Sequence, residues 1–159
     1  MKQSLSYLLV AIFAIFVGSQ ITEGVIMVPY WRSLSASEFY AFYGSFGGMI
    51  GRFYTILTII AASIPLGLAV YFRMTQSKGF NEALISTLLA VLFIAAFYVY
   101  FKGTNEAFFQ STYSEADLKK ELVTWSNWHW GRIVMEIGSL FFLIRSLVKA
   151  GIPKTEMFD

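Results

Sequence analysis

Four apolar stretches, each long enough to cross a bilayer, constrain the fold of this chain more than any other feature. They run approximately over residues 5–27, 52–72, 80–101 and 125–144. A helix needs about 20 mostly apolar residues to span a membrane, and it satisfies its own backbone hydrogen bonds there. The sequence therefore predicts an all-α fold, a four-transmembrane-helix bundle that forms one integral membrane domain over residues 1–159.

The composition agrees with a membrane protein. Hydrophobic residues make up 57% of the chain and charged residues 14%, whereas a soluble domain averages about 45–50% apolar and about 25% charged residues. The chain has no cysteine, which excludes a disulfide framework, a thiolate nucleophile and a thiolate metal site. The net charge of +2 gives no reason to expect nucleic acid as a partner.

A cleaved signal peptide is the alternative interpretation of the first stretch. Its apolar run is longer than the about 7–15 residues of a signal peptide, and Gly18-Ser19-Gln20 is a poor cleavage site. We therefore interpret it as a membrane span and expect the span to end at Pro29, Tyr30 and Trp31.

The distribution of basic residues predicts the orientation, because cytoplasmic loops carry an excess of lysine and arginine. The two terminal segments and the loop between the second and third spans carry Lys2, Arg73, Lys78, Arg145, Lys149 and Lys154. We therefore expect both termini in the cytoplasm, in a multi-pass protein of the plasma (inner) membrane. The two longer loops would then face outward.

Short extramembrane helices are predicted in both outer loops. Ser37 precedes EFYAFYGSF, an amphipathic segment that leads into the second span. In the other loop, Ser114 followed by Asp117 resembles a helix-capping signal. The helix that begins there should run straight into the fourth span.

Ionisable residues of the predicted spans gather near the outer ends. At about 1.5 Å per residue, Glu23 lies about 10 Å below Tyr30, and Arg52 lies about 31 Å from Arg73, at the outer boundary. Asn105 follows the outer end of the third span. On the fourth span, helical spacing places four side chains on one face: Trp125, His129, Arg132 and Glu136.

These groups should meet in the outer half of one bundle. Intramembrane ionisable groups are costly and usually face a bundle interior or a wet cavity, so the sequence predicts an outward-facing polar pocket. Structural roles stay open for its parts. Arg132 and Glu136 can pair within one helix, Glu23 can pair with an arginine, and the tryptophans can be interfacial anchors.

Four motifs also occur in a recognisable order: GSQITEGVIMVPYW (18–31), GRFY (51–54), NEAFF (105–109) and WSNWHWGR (125–132). In these motifs the chain resembles the DUF1772, or anthrone-oxygenase-like, family of small integral membrane proteins. The likeness covers nearly the whole chain. It implies a site that includes Glu23, Arg52, Asn105, Trp125, His129 and Arg132.

The resemblance implies an oxygenase-like activity on a lipophilic aromatic molecule. Characterised relatives are similar to fungal enzymes that oxidise an anthrone to an anthraquinone with dioxygen and without a clear cofactor. The residues suit such chemistry, because His129 or Glu23 would remove a proton and Arg52 or Arg132 would stabilise a developing oxyanion. We assign the catalytic role to His129 and Glu23, and substrate binding to Arg52, Asn105, Trp125, Arg132 and Glu136.

The sequence leaves several alternatives open. No cofactor is required, and a metal or haem held through His129 is a minor alternative, since a facial triad normally needs two histidines and the chain has one. The same pocket would serve a non-catalytic membrane subunit or carrier for a quinone, lipid or pigment. Small residues at four-residue spacing, such as Gly44 and Gly48, also suit a homo-oligomer or a membrane-complex partner. A proton-coupled transporter is disfavoured, because the polar groups stop in one half.

Overall fold

The computed structural model describes residues 3–151, which are almost entirely helical and contain no β-strand. Four long helices follow one another. The first joins α1 (Gln3–Thr22), a π-helical segment (Glu23–Met27) and α2 (Val28–Ser33). The second is α3 (Ala36–Met74). The third joins α4 (Phe80–Ala96), a second π-helical segment (Phe97–Phe101) and α5 (Lys102–Phe109), and the fourth is α6 (Glu115–Lys149). The predicted all-α fold is confirmed.

Three of these helices, Gln3–Ser33, Ala36–Met74 and Phe80–Phe109, are long and apolar enough to cross a membrane. The fourth, α6, is not among them, and charged residues such as Arg132 and Glu136 interrupt its apolar half. Its exposed surface is nevertheless apolar at several positions: Val134, Ile137, Phe141, Ile144 and Val148. Its buried face combines apolar residues such as Ile133 and Leu143 with four polar ones: His129, Glu136, Ser139 and Ser146.

The helix of the first predicted span continues past Pro29, Tyr30 and Trp31, so the predicted end of the span is not an end of the helix. Proline removes a backbone donor and crowds the carbonyl four residues earlier, here that of Val25. The π-helical segment Glu23–Met27 directly precedes Pro29, and its wider turn accommodates the disruption. The helix then continues to Ser33, which carries Trp31 into the bundle, where it is 2% exposed.

Serine caps set the starts of α3 and α6. Ser35 and Glu38 form a reciprocal capping box, with the Ser35 N–H donating to the Glu38 carboxylate at 2.8 Å, so α3 begins just before the segment predicted to follow Ser37. Ser114 caps α6 as predicted and accepts the Asp117 N–H at 3.3 Å. Both helices run without a break into the predicted spans. The outer-loop helices are therefore extensions of the long helices.

The bundle has two apolar clusters, one at each end. We call the end with the connections at 34–35 and 110–114 the upper end, and the end with the connection at 75–79 the lower end. The lower cluster includes Phe13, Phe16, Ala61, Phe72, Phe93 and Leu143. The upper cluster includes Val28, Trp31, Phe39, Phe101, Phe108, Leu122 and Trp125. Every long helix contributes to both clusters, so the residues between them share one level of the bundle.

Side chains and loops hold the upper end together. The Tyr40 hydroxyl donates to the Tyr113 carbonyl at 2.9 Å and accepts the Tyr113 N–H at 3.1 Å. The Glu115 carboxylate accepts the Ala36 N–H at 2.6 Å, and the Lys119 ammonium donates to the Leu34 carbonyl. These bonds join the two upper connections and fix the depth at which α3 and α6 enter the bundle.

The contact between α4 and α6 is the most extensive in the bundle. At its centre, the Ser86 hydroxyl donates to the Ser139 carbonyl at 2.8 Å, and the Ser139 hydroxyl donates to the Ser86 carbonyl at 2.9 Å. Small hydroxyl residues let helices approach closely and bond across an apolar interface. At the lower end, Lys149 forms an ion pair with Glu82.

Four of the basic residues predicted to face the cytoplasm belong to the lower end. Arg73 lies in the last turn of α3, Lys78 lies in the 75–79 connection, and Arg145 and Lys149 lie in the last turns of α6. Lys2 and Lys154 of the same prediction lie outside the described residues 3–151.

Gly79 provides a test of the α4–α6 contact. A Cβ added to Gly79 would lie 2.2 Å from the Ser146 carbonyl oxygen, and backbone cannot move aside as a side chain can. We expect Gly79→Ala to lower the free energy of unfolding by about 1–3 kcal/mol through overpacking, measured by denaturant unfolding in detergent micelles. Gly67→Ala is the matched control, because its Cβ meets nothing within 4 Å; equal losses in the two variants would contradict this packing.

Candidate functional site

A polar layer separates the two apolar clusters. It is formed by Gln20 and Glu23 on the first helix and by His129, Arg132 and Glu136 on the fourth. Glu23 is 4% exposed, and Gln20, His129 and Glu136 are fully buried. Buried charges are tolerated only when they are paired and solvated by neighbouring dipoles, so the contacts within this layer determine its chemistry.

Arg132 holds the layer together. Its Nε lies 3.3 Å from Glu136 Oε1, an ionic contact one helical turn away, and its Nη2 donates to the Gln20 side-chain oxygen. The guanidinium also lies 4.9 Å from the centroid of the Phe101 ring, which is a cation–π contact. The predicted Arg132–Glu136 pairing is confirmed, and Arg132 further links the fourth helix to the first and third.

His129 connects the layer to Glu23. Its Nε2 lies 3.0 Å from the Gln20 backbone carbonyl. A carbonyl can only accept, so this contact assigns the proton to Nε2. Nδ1 then faces Glu23 Oε2 at 3.9 Å, and it has no hydrogen-bond partner within residues 3–151. The Trp125 ring stacks on the imidazole at 4.9 Å and fixes its plane.

The formal charges of the polar layer do not balance when every group has its usual charge. With both carboxylates ionised, Arg132 protonated and His129 neutral, the layer carries a net charge of −1. An uncompensated buried charge is strongly unfavourable, and one proton on Glu23, His129 or Glu136 neutralises the layer. The Glu23–His129 contact also places two acceptor atoms face to face. The layer therefore contains three groups that can take up a proton.

A cavity of about 90 Å³ adjoins the polar layer at the upper cluster. Its walls come from all four long helices: Glu23, Trp31, Tyr43, Gly47, Ile50, Gly51, Tyr54, Thr55, Phe97, Asn105, Trp125 and Arg132. Three of these residues, Gly51, Thr55 and Phe97, are exposed and form its rim. The cavity is smaller than the roughly 300–1,000 Å³ of a pocket for a drug-sized ligand.

The seven predicted site residues divide into three groups. Glu23, Asn105, Trp125 and Arg132 line the cavity, and the Trp125 indole N–H donates to the Asn105 side-chain oxygen at 3.1 Å. His129 and Glu136 lie behind this wall, in contact with Glu23 and Arg132 respectively. Arg52 is exposed and does not line the cavity.

The position of Arg52 follows from helix geometry. Gly47, Gly51 and Tyr54 line the cavity at intervals of four and three residues, which keeps them on one face of α3. Arg52 comes one residue after Gly51, about 100° around the helix, because each residue of a 3.6-residue turn adds that rotation. Its side chain therefore starts from the neighbouring face.

Several residues of the site were not predicted from the sequence. Trp31, Tyr43 and Tyr54 line the cavity, and Gln20 supplies two oxygens to the polar layer. Gln20 lies three residues before Glu23, so its helical spacing was a usable signal. Trp31 carried no such signal, because Pro29 indicated the end of the helix.

Two π-helical segments flank the cavity. One begins at Glu23 and the other at Phe97, and both residues line the cavity. Such segments are rare and occur frequently at functional sites. Gly24 also matters here, because a Cβ at this position would lie 3.2 Å from His129 Cδ2. Glycine therefore allows the first helix to approach His129 closely.

Within residues 3–151, no group of three or more histidine, aspartate or glutamate side chains is placed to hold a metal ion. Comparisons with known proteins add no assignment: no family model, no curated protein and no solved structure matches the chain. The DUF1772 resemblance therefore stays a prediction from its motifs.

The Arg132–Glu136 pair can be tested by comparing single and double substitutions. We expect Arg132→Met to lower the free energy of unfolding by about 3–5 kcal/mol, because it leaves Glu136 buried without its counter-ion. Adding Glu136→Leu should restore most of that loss, since an apolar pair of similar volume often replaces a buried ion pair at little cost. The measurement is denaturant unfolding in detergent micelles, and additive losses in the double variant would exclude the pairing.

Proposed function

We propose that this chain is a four-span membrane protein with an oxygenase-like site for a lipophilic aromatic molecule in the upper half of its bundle. The observation that carries the proposal is the Glu23 carboxylate, which is buried, lines a cavity together with the Arg132 guanidinium, and contacts a second proton-exchanging group, His129. The motif resemblance to anthrone-oxygenase-like proteins supports the same reaction class.

The proposed topology includes α6 as a fourth span. Its support is the distribution of its side chains, because large apolar side chains such as Ile137 and Phe141 are exposed whereas the polar Glu136 and Ser139 are buried. A helix with this pattern is stable where its surroundings are hydrocarbon. The four basic residues at the lower end support a cytoplasmic location for that end and for both termini. The upper end faces outward from the plasma (inner) membrane.

The absence of native cysteine makes this topology directly testable. Lys78 lies in the lower connection and Thr112 in an upper one, and both are exposed. We expect Thr112→Cys to react with a membrane-impermeant maleimide in intact cells. Lys78→Cys should react only after the cells are opened. Labelling of both variants in intact cells, or the opposite pattern, would contradict the orientation.

The proposed reaction uses Glu23 as the base. Glu23 removes a proton from the methylene carbon of an anthrone-like ketone, and the resulting enolate oxygen is stabilised by Arg132. Dioxygen takes up electrons from this anion and forms a C–O bond, and a proton returned by Glu23 completes a hydroperoxide. Loss of water then gives the new ketone. The balance is one methylene plus one dioxygen to one carbonyl plus one water.

His129 acts through Glu23 in this scheme. It does not line the cavity, so it would not touch a ligand there. Its Nδ1 lies 3.9 Å from the Glu23 carboxylate, close enough to share the proton that Glu23 removes after a small movement. Trp125 and Gln20 hold the imidazole in place. The sequence suggested either His129 or Glu23 as the base. In the proposal Glu23 is the base that touches the substrate, and His129 positions it.

The size of the cavity defines how a larger molecule would bind. About 90 Å³ accommodates the reacting edge of an aromatic ketone together with little else. The exposed rim at Gly51, Thr55 and Phe97 would let the remaining rings lie against the bundle in the bilayer. Both an apolar substrate and dissolved dioxygen would reach the site from the lipid.

Substitution of Glu23 tests the proposal. In lipid nanodiscs supplied with anthrone and air, Glu23→Gln should reduce protein-dependent oxygen uptake by about 10²–10⁴-fold, the usual contribution of a general base. Glu106→Gln is the matched control, because Glu106 is exposed and does not line the cavity. Oxygen uptake that is unchanged in Glu23→Gln would exclude this carboxylate as the base.

A non-catalytic carrier or subunit is the alternative outcome of the same experiment. It would bind anthrone, or a quinone, with an affinity that depends on Arg132, but it would consume no oxygen. Exposed Gly44 and Gly48 meet nothing within 4 Å of an added Cβ, which leaves that face of α3 open to a second copy or a membrane partner. Association with a second copy and association with a membrane partner both remain predictions from the sequence.

A further inference from the structure

One tryptophan in the cavity wall has an unused hydrogen-bond donor. Trp31 is 2% exposed, it lines the cavity, and its Nε1 has no hydrogen-bond partner within residues 3–151. Its contacts with Phe39, Tyr43 and Trp125 are edge-to-face ring contacts, which supply no oxygen acceptor. Buried donors in native proteins are nearly always paired, so an unpaired one requires an explanation.

The neighbouring tryptophan shows the contrast. Trp125 also lines the cavity and is almost as buried, but its Nε1 donates to the Asn105 side chain at 3.1 Å. Gln20 Nε2 is also an unpaired buried donor, but Gln20 does not line the cavity. Arg132 Nε likewise has no hydrogen-bond partner within residues 3–151, and Arg132 lines the cavity, but this atom lies 3.3 Å from the Glu136 carboxylate. Among these donors, the Trp31 N–H is the one that combines a place in the cavity wall with no polar neighbour in the described residues.

We propose that the Trp31 indole N–H donates a hydrogen bond to an oxygen atom of the ligand, and that Trp31 thereby determines which ligands the cavity accepts. The inference rests on the proposed function in one respect, the presence of a small-molecule ligand beside Glu23. It adds a specificity residue to the site. Trp31 belongs to the first long helix, whereas Arg132 and Glu136 belong to the fourth.

Trp31 and Glu23 both line the cavity, and together they define the chemistry of the ligand group. An indole N–H is a donor only, and a carboxylate is an acceptor only. A hydroxyl group satisfies both, because its oxygen accepts from Trp31 while its hydrogen is donated to Glu23. A hydrocarbon would leave both protein groups unpaired. The site should therefore favour a hydroxyl, or a carbonyl that can form an enol, over a hydrocarbon of the same shape.

Naphthol and naphthalene make a matched pair of probes, since they differ by one hydroxyl group. Binding is measured to the full chain in lipid nanodiscs, with empty nanodiscs as the correction for partition into lipid. We expect Trp31→Phe, which keeps an aromatic ring and removes the N–H, to weaken naphthol binding by about 3- to 10-fold, the worth of one neutral hydrogen bond. Naphthalene binding should change little. Trp130→Phe, at a position that does not line the cavity, should change neither.

Two results would overturn the inference. Equal loss of both probes in Trp31→Phe would show that the ring only packs the cavity. Unchanged naphthol binding would show that the N–H meets a water molecule or the face of a neighbouring ring. If Trp31→Phe does not fold, Raman spectra of the wild-type protein still decide the question. Binding of naphthol should shift an indole N–H band of the protein, and binding of naphthalene should not. The absence of a shift with naphthol would exclude the hydrogen bond.

The proposed function and this inference fail separately. Anthrone-dependent oxygen uptake is measured on the same preparations. Naphthol binding that depends on Trp31, without oxygen uptake, would reject the enzyme and keep the specificity residue. Oxygen uptake that depends on Glu23, with naphthol binding indifferent to Trp31, would do the reverse.

Discussion

The rest of the site depends on one guanidinium that lies, mostly covered, between two apolar clusters. Arg132 contacts Glu136 on its own helix, the Gln20 side chain on the first helix and the Phe101 ring on the third. Removing a cation from water is expensive, and only several simultaneous partners make it tolerable. The helices must therefore pack in the register that brings these partners together. That register places Glu23 beside His129 and opens the cavity between Glu23 and Arg132.

The same packing brings proton-exchanging groups together. Two carboxylates, one guanidinium and one imidazole share one layer, and their formal charges balance when one of the acceptors is protonated. The Gln20 carbonyl fixes the imidazole tautomer, so the two acceptors that face each other are His129 Nδ1 and Glu23 Oε2. Proton exchange at the edge of an apolar cavity is what either an oxygenase-like enzyme or a selective binding protein for hydroxyl compounds requires.

The sequence was sufficient for the helical fold and for part of the site, because both follow from short-range rules. Apolar stretch length predicted the long helices, and helical spacing placed Trp125, His129 and Glu136 on one face. The helix itself continues past Pro29, because a π-helical turn can accommodate a proline when neighbouring helices supply the packing. The exposure of Arg52 and the burial of Trp31 depend on how the helices are rotated in the bundle. Rotation is a property of the whole packing and leaves no local mark in the sequence.

The π-helical segment Glu23–Met27 has a further consequence for how this protein can change. A π turn accommodates one more residue than an α turn between the same two packed flanks. Deleting a single residue between Gly24 and Pro29 would return the segment to α geometry and leave both flanking helices in place. An insertion in α1 or α2 would instead rotate one flank by about 100° relative to the other and take either Gln20 or Trp31 out of the bundle interior. Length variation in the first helix is therefore tolerable only within these few residues, and it would change the direction of the Glu23 carboxylate before it changed anything else in the fold.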